Sequence, residues 1–196
     1  MLSYEDSLKI LKETKALTTG HFILSSGLHS AEYIQCAKLL SYPNKAEIIC
    51  SSLCSKINNI FKNIDIVLSP AIGGIVVGYE IGRQLSKETM FAERENGKLT
   101  LRRSFEIPKK KNVLIVEDVI TTGKSALECS ELVESSNANI LGYACIINRS
   151  NKNLLNDKAI VSQLKFNIET FNKENIPESL KKIKPIKPGS RNLNKW

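Results

Sequence analysis

Apolar residues recur along the first half of the chain at two different spacings. Ile49, Leu53, Ile57, Ile60 and Phe61 follow one another at the intervals of a helix face, and the short apolar run "DIVLSP" comes next. The glycine-rich turn "AIGGI" then leads into a second apolar helix, and "ETMFAERE" is the next strand. This half of the chain therefore alternates helices with short buried strands.

The second half continues the alternation. The run "NVLIVED" predicts a strand, "KSALECSELVESS" a helix, and "ILGYACIIN" a further strand. A strand, a crossover helix and another strand are typical of a parallel sheet. We therefore predict an α/β fold with a central parallel sheet flanked by helices, whose ligands bind beyond the carboxyl ends of the strands.

One segment interrupts this pattern. The stretch "NGKLTLRRSFEIPKKKN" is polar and cationic, with Asn96-Gly97 as a turn signal between two extended runs and Pro108 near its end. It predicts an exposed hairpin or loop. By itself it is equally well explained as a solvated basic hairpin.

Length and composition agree with one domain. The chain has 196 residues, of which 42% are apolar and 24% charged, which is enough for one core and too little for two. No apolar run reaches the roughly 18 residues of a membrane span, and the N-terminus has an acidic pair where a secretory signal would be apolar. We expect a cytoplasmic protein.

The cysteines and the net charge add little. An odd number of cysteines without a C-x-x-C pair indicates neither a disulfide framework nor a zinc site, so each is expected to be a small buried hydrophobe: Cys36, Cys50, Cys54, Cys129 and Cys145. The formal charge of +8 favours anionic partners. Because much of the excess is lysine scattered over solvent faces and the C-terminal end, the net charge alone does not identify a partner.

The segment "VLIVEDVITTGKSA" contains the candidate chemistry. Its Gly123-Lys124-Ser125 resembles the end of a triphosphate-binding loop, G-x-x-x-x-G-K-[ST], whose first glycine would then stand at position 118. That position is Asp118, whose carboxylate would repel the phosphates and whose side chain would keep the backbone from wrapping them. The triphosphate interpretation is therefore disfavoured.

A turn suited to a single phosphate remains. The amides of Thr121, Thr122 and Gly123 open a helix whose N-terminus carries partial positive charge, and the nearby hydroxyl groups and Lys124 can add donors. An ordinary strand-to-helix connection capped by threonine or serine is the alternative. The adjacent acids Glu117 and Asp118, expected to face solvent at the strand end, favour a ligand with hydroxyl groups beside the phosphate, as in ribose 5-phosphate.

These residues carry a family resemblance. The apolar strand, the two acids and "VITTGKS" are similar to the phosphoribosyl-pyrophosphate signature of the type I phosphoribosyltransferases. The segments "GHFILSSGLHSAEYIQCAKLL", "FAERENGKLTLRRSFEI" and "KPGSR" at 187–191 resemble the orotate phosphoribosyltransferases with a short catalytic loop. The resemblance covers nearly the whole chain.

The resemblance implies an architecture and a reaction. One phosphoribosyltransferase domain, 1–196, would comprise an N-terminal hood at about 1–40, a core at about 41–170, a flexible hairpin loop and a loose tail at about 177–196. It would convert orotate and phosphoribosyl pyrophosphate to orotidine 5-monophosphate and pyrophosphate in pyrimidine synthesis. Mg²⁺ would arrive on the donor without side-chain ligands, a homodimer is implied, and neither nucleic acid nor membrane is an expected partner.

Roles follow residue by residue from the same resemblance. The donor would be bound by Glu117, Asp118, Val119, Ile120, Thr121, Thr122, Gly123, Lys124 and Ser125. Orotate would contact Thr121 and Arg149, whose guanidinium fork suits a carboxylate. The residues expected to act in catalysis are the two acids and the loop cations that would bind the departing pyrophosphate: Glu117, Asp118, Arg94, Lys98, Arg102 and Arg103. His21 and His29 are expected to be packed rather than catalytic.

Some alternatives stay open at this level. Relatives often have glycine where Lys124 stands, so this lysine is free either to touch phosphate or to point to solvent. A transferase for another base, an RNA-binding regulator with the same fold and a P-loop hydrolase remain as rival functions, the last disfavoured by Asp118.

Overall fold

A computed structural model of the protein describes residues 1–24 and 26–188. The helices are α1 (Tyr4–Glu13), α2 (Cys36–Leu40), α3 (Pro43–Ile60), α4 (Gly73–Leu85), α5 (Lys124–Ser135) and α6 (Glu178–Lys181). The strands are β1 (Leu17–Ile23), β2 (His29–Ile34), β3 (Ile66–Pro70), β4 (Glu88–Glu95), β5 (Lys98–Leu101), β6 (Asn112–Ile120), β7 (Asn139–Asn148), β8 (Leu154–Leu155) and β9 (Lys158–Lys165).

Seven strands form one sheet in the order β5-β4-β3-β6-β7-β9-β8. The strands β4, β3, β6, β7 and β9 pair in parallel, whereas β5 and β8 are antiparallel edge strands. The predicted α/β fold with a central parallel sheet is confirmed. The predicted hairpin is also confirmed, because β4 and β5 are joined at Asn96-Gly97, although Leu99 within it is buried.

The alternation of buried side chains along β6 explains why helices cover both faces. Leu114 and Val116 belong to the cluster that includes residues of α3 and α4, whereas Val113 and Ile115 belong to the cluster that includes α5. Side chains of a strand alternate between faces, so a strand with apolar residues at every position needs a helical layer on each side. The continuous apolar run thereby places β6 at the centre of the sheet.

Glycines bring α4 unusually close to the sheet. Gly74, Gly78 and Gly82 are spaced by four residues and lie on one helix face. A Cβ atom at Gly78 would overlap Ser69 Oγ and would lie 2.9 Å from Ser69 Cβ, and one at Gly82 would overlap Thr89 Oγ1. This close approach holds the start of α4 at the carboxyl end of β3, next to β6.

The N-terminal hood is a separate two-stranded antiparallel sheet, β1 and β2, preceded by α1. Its apolar side chains, among them Leu11, Leu17 and Ile34, join the same buried cluster as α3. The hood is therefore packed onto the core by apolar burial.

The C-terminal segment differs from the predicted loose tail as far as the structure describes it. Ile186 N–H donates to His21 O and Ile186 O accepts from Ile23 N–H, both at 2.8 Å. The buried ring of His21 contacts His29 at 2.7 Å and Ile183 O at 2.9 Å, so the expectation of packed histidines is confirmed. Residues 189–191 of the "KPGSR" motif lie outside the described residues.

The cysteines are all free and buried, as predicted: Cys36, Cys50, Cys54, Cys129 and Cys145. Within the described residues, no helix combines the length and the apolar character that crossing a bilayer requires.

Candidate active site

The two acids lie at the carboxyl end of the central strand, where three elements meet. β6 continues to Ile120, two residues beyond the predicted strand, so Glu117 and Asp118 belong to the strand itself. Cys36 Sγ of α2 lies 3.8 Å from the Asp118 carbonyl oxygen. A Cβ atom on Gly73 of α4 would lie 3.0 Å from Asp118 Oδ1, so this carboxylate lies directly against the start of α4.

Burial changes the chemistry of both acids. Removal from water, together with the smaller effect of the Asp118 charge, raises the pKa of Glu117 to about 7, while the Ser125 hydroxyl opposes the shift. Burial also raises the pKa of Asp118, although the Val119 amide donates to Asp118 Oδ1 at 2.9 Å and favours the ionised form. The expectation that the pair faces solvent needs correction, because both side chains are only partly exposed. The start of α4 lies against Asp118, and the Ser125 hydroxyl of α5 donates a hydrogen bond to Glu117.

The turn after β6 ends in a glycine, so the N-cap residue of α5 has no side chain to cap the helix. Gly123 is the N-cap residue and has φ of 79°, and a Cβ atom there would lie 2.8 Å from the Leu155 side chain. Glycine is therefore favoured both by the left-handed backbone and by space. Thr121, Thr122 and Lys124 are exposed around it, and Thr122 Oγ1 accepts from the Lys124 amide at 3.3 Å.

The two residues between the acids and the turn have fewer groups available to bind a ligand. Val119 uses its amide on Asp118, and the Ile120 side chain is buried while its carbonyl oxygen accepts from the Arg149 amide at 2.8 Å. This hydrogen bond links the end of β7 to the start of the turn at Thr121–Ser125, which we call the phosphate turn.

Arg149 lies directly beyond β7, next to the phosphate turn. Its Nε is buried and has no hydrogen-bond partner among the described residues. Burial lowers the pKa of the guanidinium, and the neighbouring Tyr33 of the hood opposes that shift. The reciprocal effect appears at Tyr33. Burial raises the pKa of its phenol group, and the charge of Arg149 opposes that rise. An unpaired guanidinium donor in a partly buried site is suited to an anionic ligand.

Sequence reasoning did not identify Tyr33, Cys36 or Gly73 as parts of the site. Tyr33 lies within the hood segment that carries the family resemblance, but no local spacing marks it out from its neighbours. Packing of the hood and of α4 against β6 brings these residues together.

The hairpin cations are engaged in ion pairs with the protein's own acids. Arg94 Nη2 lies 2.6 Å from Glu128 of α5, Arg103 Nη2 lies 2.9 Å from Glu93, and Arg102 Nη1 lies 4.0 Å from Glu95. Arg102 and Arg103 therefore pair within the hairpin, whereas Arg94 links the hairpin to α5.

Lys98 has a different position from the hairpin arginines. It lines a cavity of about 640 Å³ between the hairpin and α5, together with Thr122 and Lys124 of the phosphate turn. The structure thus brings Lys98 and the phosphate turn to one cavity, which the two acids of β6 do not line.

The two acids also determine whether the site could contribute ligands to a metal ion. In the described part of the chain, no three His, Cys, Asp or Glu side chains are arranged to hold an ion. Mg²⁺ commonly binds through one or two carboxylates together with substrate phosphates. Glu117 and Asp118 fit that limited contribution.

Comparison with known proteins agrees with this geometry. The family described as "Phosphoribosyl transferase domain" matches residues 39–182. The chain belongs to this family. It is 45% identical over 184 residues to the orotate phosphoribosyltransferase of Caldicellulosiruptor bescii, covering 94% of this chain and 96% of that relative. The resemblance to orotate phosphoribosyltransferases is thereby confirmed.

Solved structures of phosphoribosyltransferases have the same fold. The orotate phosphoribosyltransferase of Aeropyrum pernix has a TM-score of 0.71 at 25% identity, over 81% of this chain and 92% of that one. The adenine phosphoribosyltransferase of Saccharomyces cerevisiae has a TM-score of 0.63 at 20% identity, over 80% of this chain and 99% of that one. Members that differ in their base share the fold, so the base must be argued from the site.

Proposed function

We propose that this phosphoribosyltransferase joins orotate to the ribose 5-phosphate of phosphoribosyl pyrophosphate, giving orotidine 5-monophosphate and pyrophosphate in pyrimidine synthesis. The observation that carries the choice of base is Arg149, whose buried Nε lacks a partner among the described residues. Orotate differs from uracil by a carboxylate, which a guanidinium group binds through two parallel hydrogen bonds.

The donor would lie along the end of β6. The amides from Thr121 to Ser125 would bind the 5-phosphate, because a helix N-terminus offers amide donors and a favourable dipole. The Lys124 amide would exchange its long contact of 3.3 Å with Thr122 Oγ1 for the phosphate. Glu117 and Asp118 would contact the ribose hydroxyls. With a pKa near 7, Glu117 can accept or donate a hydrogen bond at neutral pH. Ionised Asp118 would stabilise positive charge developing on the ribose ring.

The departing pyrophosphate would be bound by cations of the hairpin. Lys98 is the best-placed candidate, since it shares a cavity with the phosphate turn. Arg102 and Arg103 would first have to leave Glu95 and Glu93. Mg²⁺ bound to the donor would neutralise phosphate charge. The proposal includes a cytoplasmic homodimer without nucleic acid or membrane as a partner.

Substitution of Arg149 tests the choice of base. Arg149→Ala should lower kcat/KM for orotate, because the orotate carboxylate would be left without its partner. The expected loss of transition-state binding is about 2 to 5 kcal/mol. Arg149→Lys should also be impaired, since an ammonium cannot reproduce the two-point fork. Donor affinity should stay within a few fold. Loss of orotate absorbance would be measured beside uracil, adenine and hypoxanthine as rival acceptors.

A nearby lysine provides the control. Lys152→Ala removes an exposed positive charge three residues further on and should leave both substrates unaffected. Arg149→Ala should reduce the preference for orotate over uracil. Equal losses on orotate and on donor binding would mean that Arg149 maintains the architecture of the site and that the base is recognised elsewhere.

A further inference from the structure

The phosphate-binding helix and the cationic hairpin are joined by one carboxylate. Glu128 Oε2 lies 2.6 Å from Arg94 Nη2, and Glu128 Oε1 lies 3.9 Å from Lys124 Nζ. Lys124 and Glu128 are one helical turn apart on α5, which places both side chains on the same face. The two oxygens of Glu128 thus face two cations that flank the candidate donor site.

The geometry makes Arg94 the stronger of the two contacts. The Glu128 side chain is 19% exposed, that of Arg94 is 43% exposed and that of Lys124 is 80% exposed. A solvated ammonium at 3.9 Å contributes little, whereas a charge-assisted hydrogen bond at 2.6 Å to a mostly covered carboxylate is substantial. Arg94 also donates to the Gly97 carbonyl oxygen, so the same side chain stiffens the hairpin turn.

This contact is the ionic part of the attachment of the hairpin to α5, beside the apolar contact of Leu99, which is buried in the same cluster as Cys129 and Val133. Lys98 follows Gly97 directly and lines the cavity above the phosphate turn with Thr122. If Arg94 left Glu128, the hairpin tip would lose its ionic contact with α5, and Lys98 would be held less firmly, by the buried side chain of its neighbour Leu99. Arg102 and Arg103 could not compensate, because their paired acids, Glu93 and Glu95, belong to the hairpin itself.

We propose that Glu128 is a positioning residue for the transfer reaction, which holds the cationic hairpin over the phosphate turn by means of Arg94. The inference rests on the proposed function, since it concerns the step in which pyrophosphate leaves. Glu128 is paired with Arg94 of the hairpin, so we expect its effect on turnover rather than on donor binding.

Two variants test the proposal against a matched control. Glu128→Gln should lower kcat roughly threefold to tenfold while the dissociation constant for phosphoribosyl pyrophosphate changes less than about twofold. Glu128→Asp should behave similarly, because it keeps the charge but cannot reach Arg94. Glu131→Gln removes the same charge from the same helix and lines the same cavity, yet should leave kcat unchanged. An equal loss of kcat in Glu131→Gln would mean that removing any negative charge from α5 slows the reaction, and would overturn the proposal.

A double-mutant cycle shows whether Glu128 acts by means of Arg94. In an Arg94→Gln protein, the additional Glu128→Gln change should have no further effect on kcat, since the contact is already gone. Independent losses that multiply would overturn the proposal. Arg94→Gln alone is allowed a larger loss than Glu128→Gln if its guanidinium also reaches pyrophosphate.

Proteolysis separates this proposal from the proposed function. Trypsin cleavage after the exposed Arg102 and Arg103 should be several-fold faster in substrate-free Glu128→Gln than in the wild type or Glu131→Gln, because local opening exposes the hairpin. Unchanged cleavage in Glu128→Gln would show that Glu128 does not hold the hairpin, even in an active enzyme. A wild type that does not consume orotate would refute the proposed function, while the cleavage rates would still decide the role of Glu128.

Discussion

The carboxyl group of Glu117 has a pKa near 7, mainly because folding removes it from water and secondarily because Asp118 lies beside it. Between the ordinary value of 4.5 and about 7, the folded protein keeps this proton while the unfolded chain has lost it. The unfolded chain then binds fewer protons, so the free energy of unfolding decreases as pH rises through this range and stays reduced above it.

Glu117→Gln should therefore be more stable than the wild type at alkaline pH. We expect a gain of up to about 3 kcal/mol near pH 8.5, because the neutral amide never has to ionise in a partly buried site, and a much smaller gain near pH 5. Urea unfolding at both pH values measures the difference. Glu131→Gln, at an exposed position of α5, should show no such dependence. A gain that is the same at both pH values would show that ionisation of Glu117 is not its cause.

At the scale of elements, the start of α4 reaches Asp118 only because the helix packs so closely on β3 and β4. Gly78 is buried and faces Ser69, which is itself 1% exposed and has no space to retreat. A methyl group at this position must push the helix away from the sheet. The same movement would displace Gly73 from the Asp118 carboxylate.

Gly78→Ala should consequently destabilise the protein by roughly 1 to 3 kcal/mol, despite the higher helix propensity of alanine. Asn59→Ala, at an exposed position of α3, also gains the helix propensity of alanine without a steric clash and should have a much smaller effect. Thermal unfolding at equal protein concentrations compares them. If Gly78→Ala is as stable as the wild type, α4 has room that the close packing does not indicate.

On the scale of the whole molecule, the other face of α4 is apolar and exposed. Ile72, Val76 and Tyr79 are 85%, 51% and 64% exposed and follow one another at helical spacing. Ile72 precedes Gly73, so this face begins at the rim of the candidate site. A contiguous apolar surface beside a site is typical of a protein interface, and we propose a second copy of the chain as its partner.

Tyr79→Glu should therefore weaken self-association, because a charge would be buried in the interface without a partner. Sedimentation velocity over a range of concentrations should give a dimer for the wild type and a shift of at least about tenfold in the dissociation constant for the variant. Ile60→Glu changes a similarly exposed apolar residue at the end of α3 and should leave the assembly intact. A wild type that sediments as a monomer, or equal effects of both variants, would exclude this face as the interface.

Two kinds of feature could be predicted from the sequence because their information is local. The spacing of apolar residues predicted the helices and the parallel sheet, since side-chain period follows directly from backbone geometry. The phosphate turn from Thr121 to Ser125 and the acids before it are contiguous in the chain, so one short motif named them all. The exclusion of a triphosphate loop needed only the identity of position 118.

Other features were decided by the tertiary structure because they depend on residues distant in sequence. Tyr33 of the hood lies close enough to Arg149 for each to shift the pKa of the other, and Gly73 meets Asp118 because β3 and β6 are neighbours in the sheet. Burial of the acids and the pairing of Arg94 with Glu128 follow from the same packing. Sequence spacing specifies which chemical groups are present, whereas the order of the strands and the layers around them determines which groups share a site and how much water reaches them.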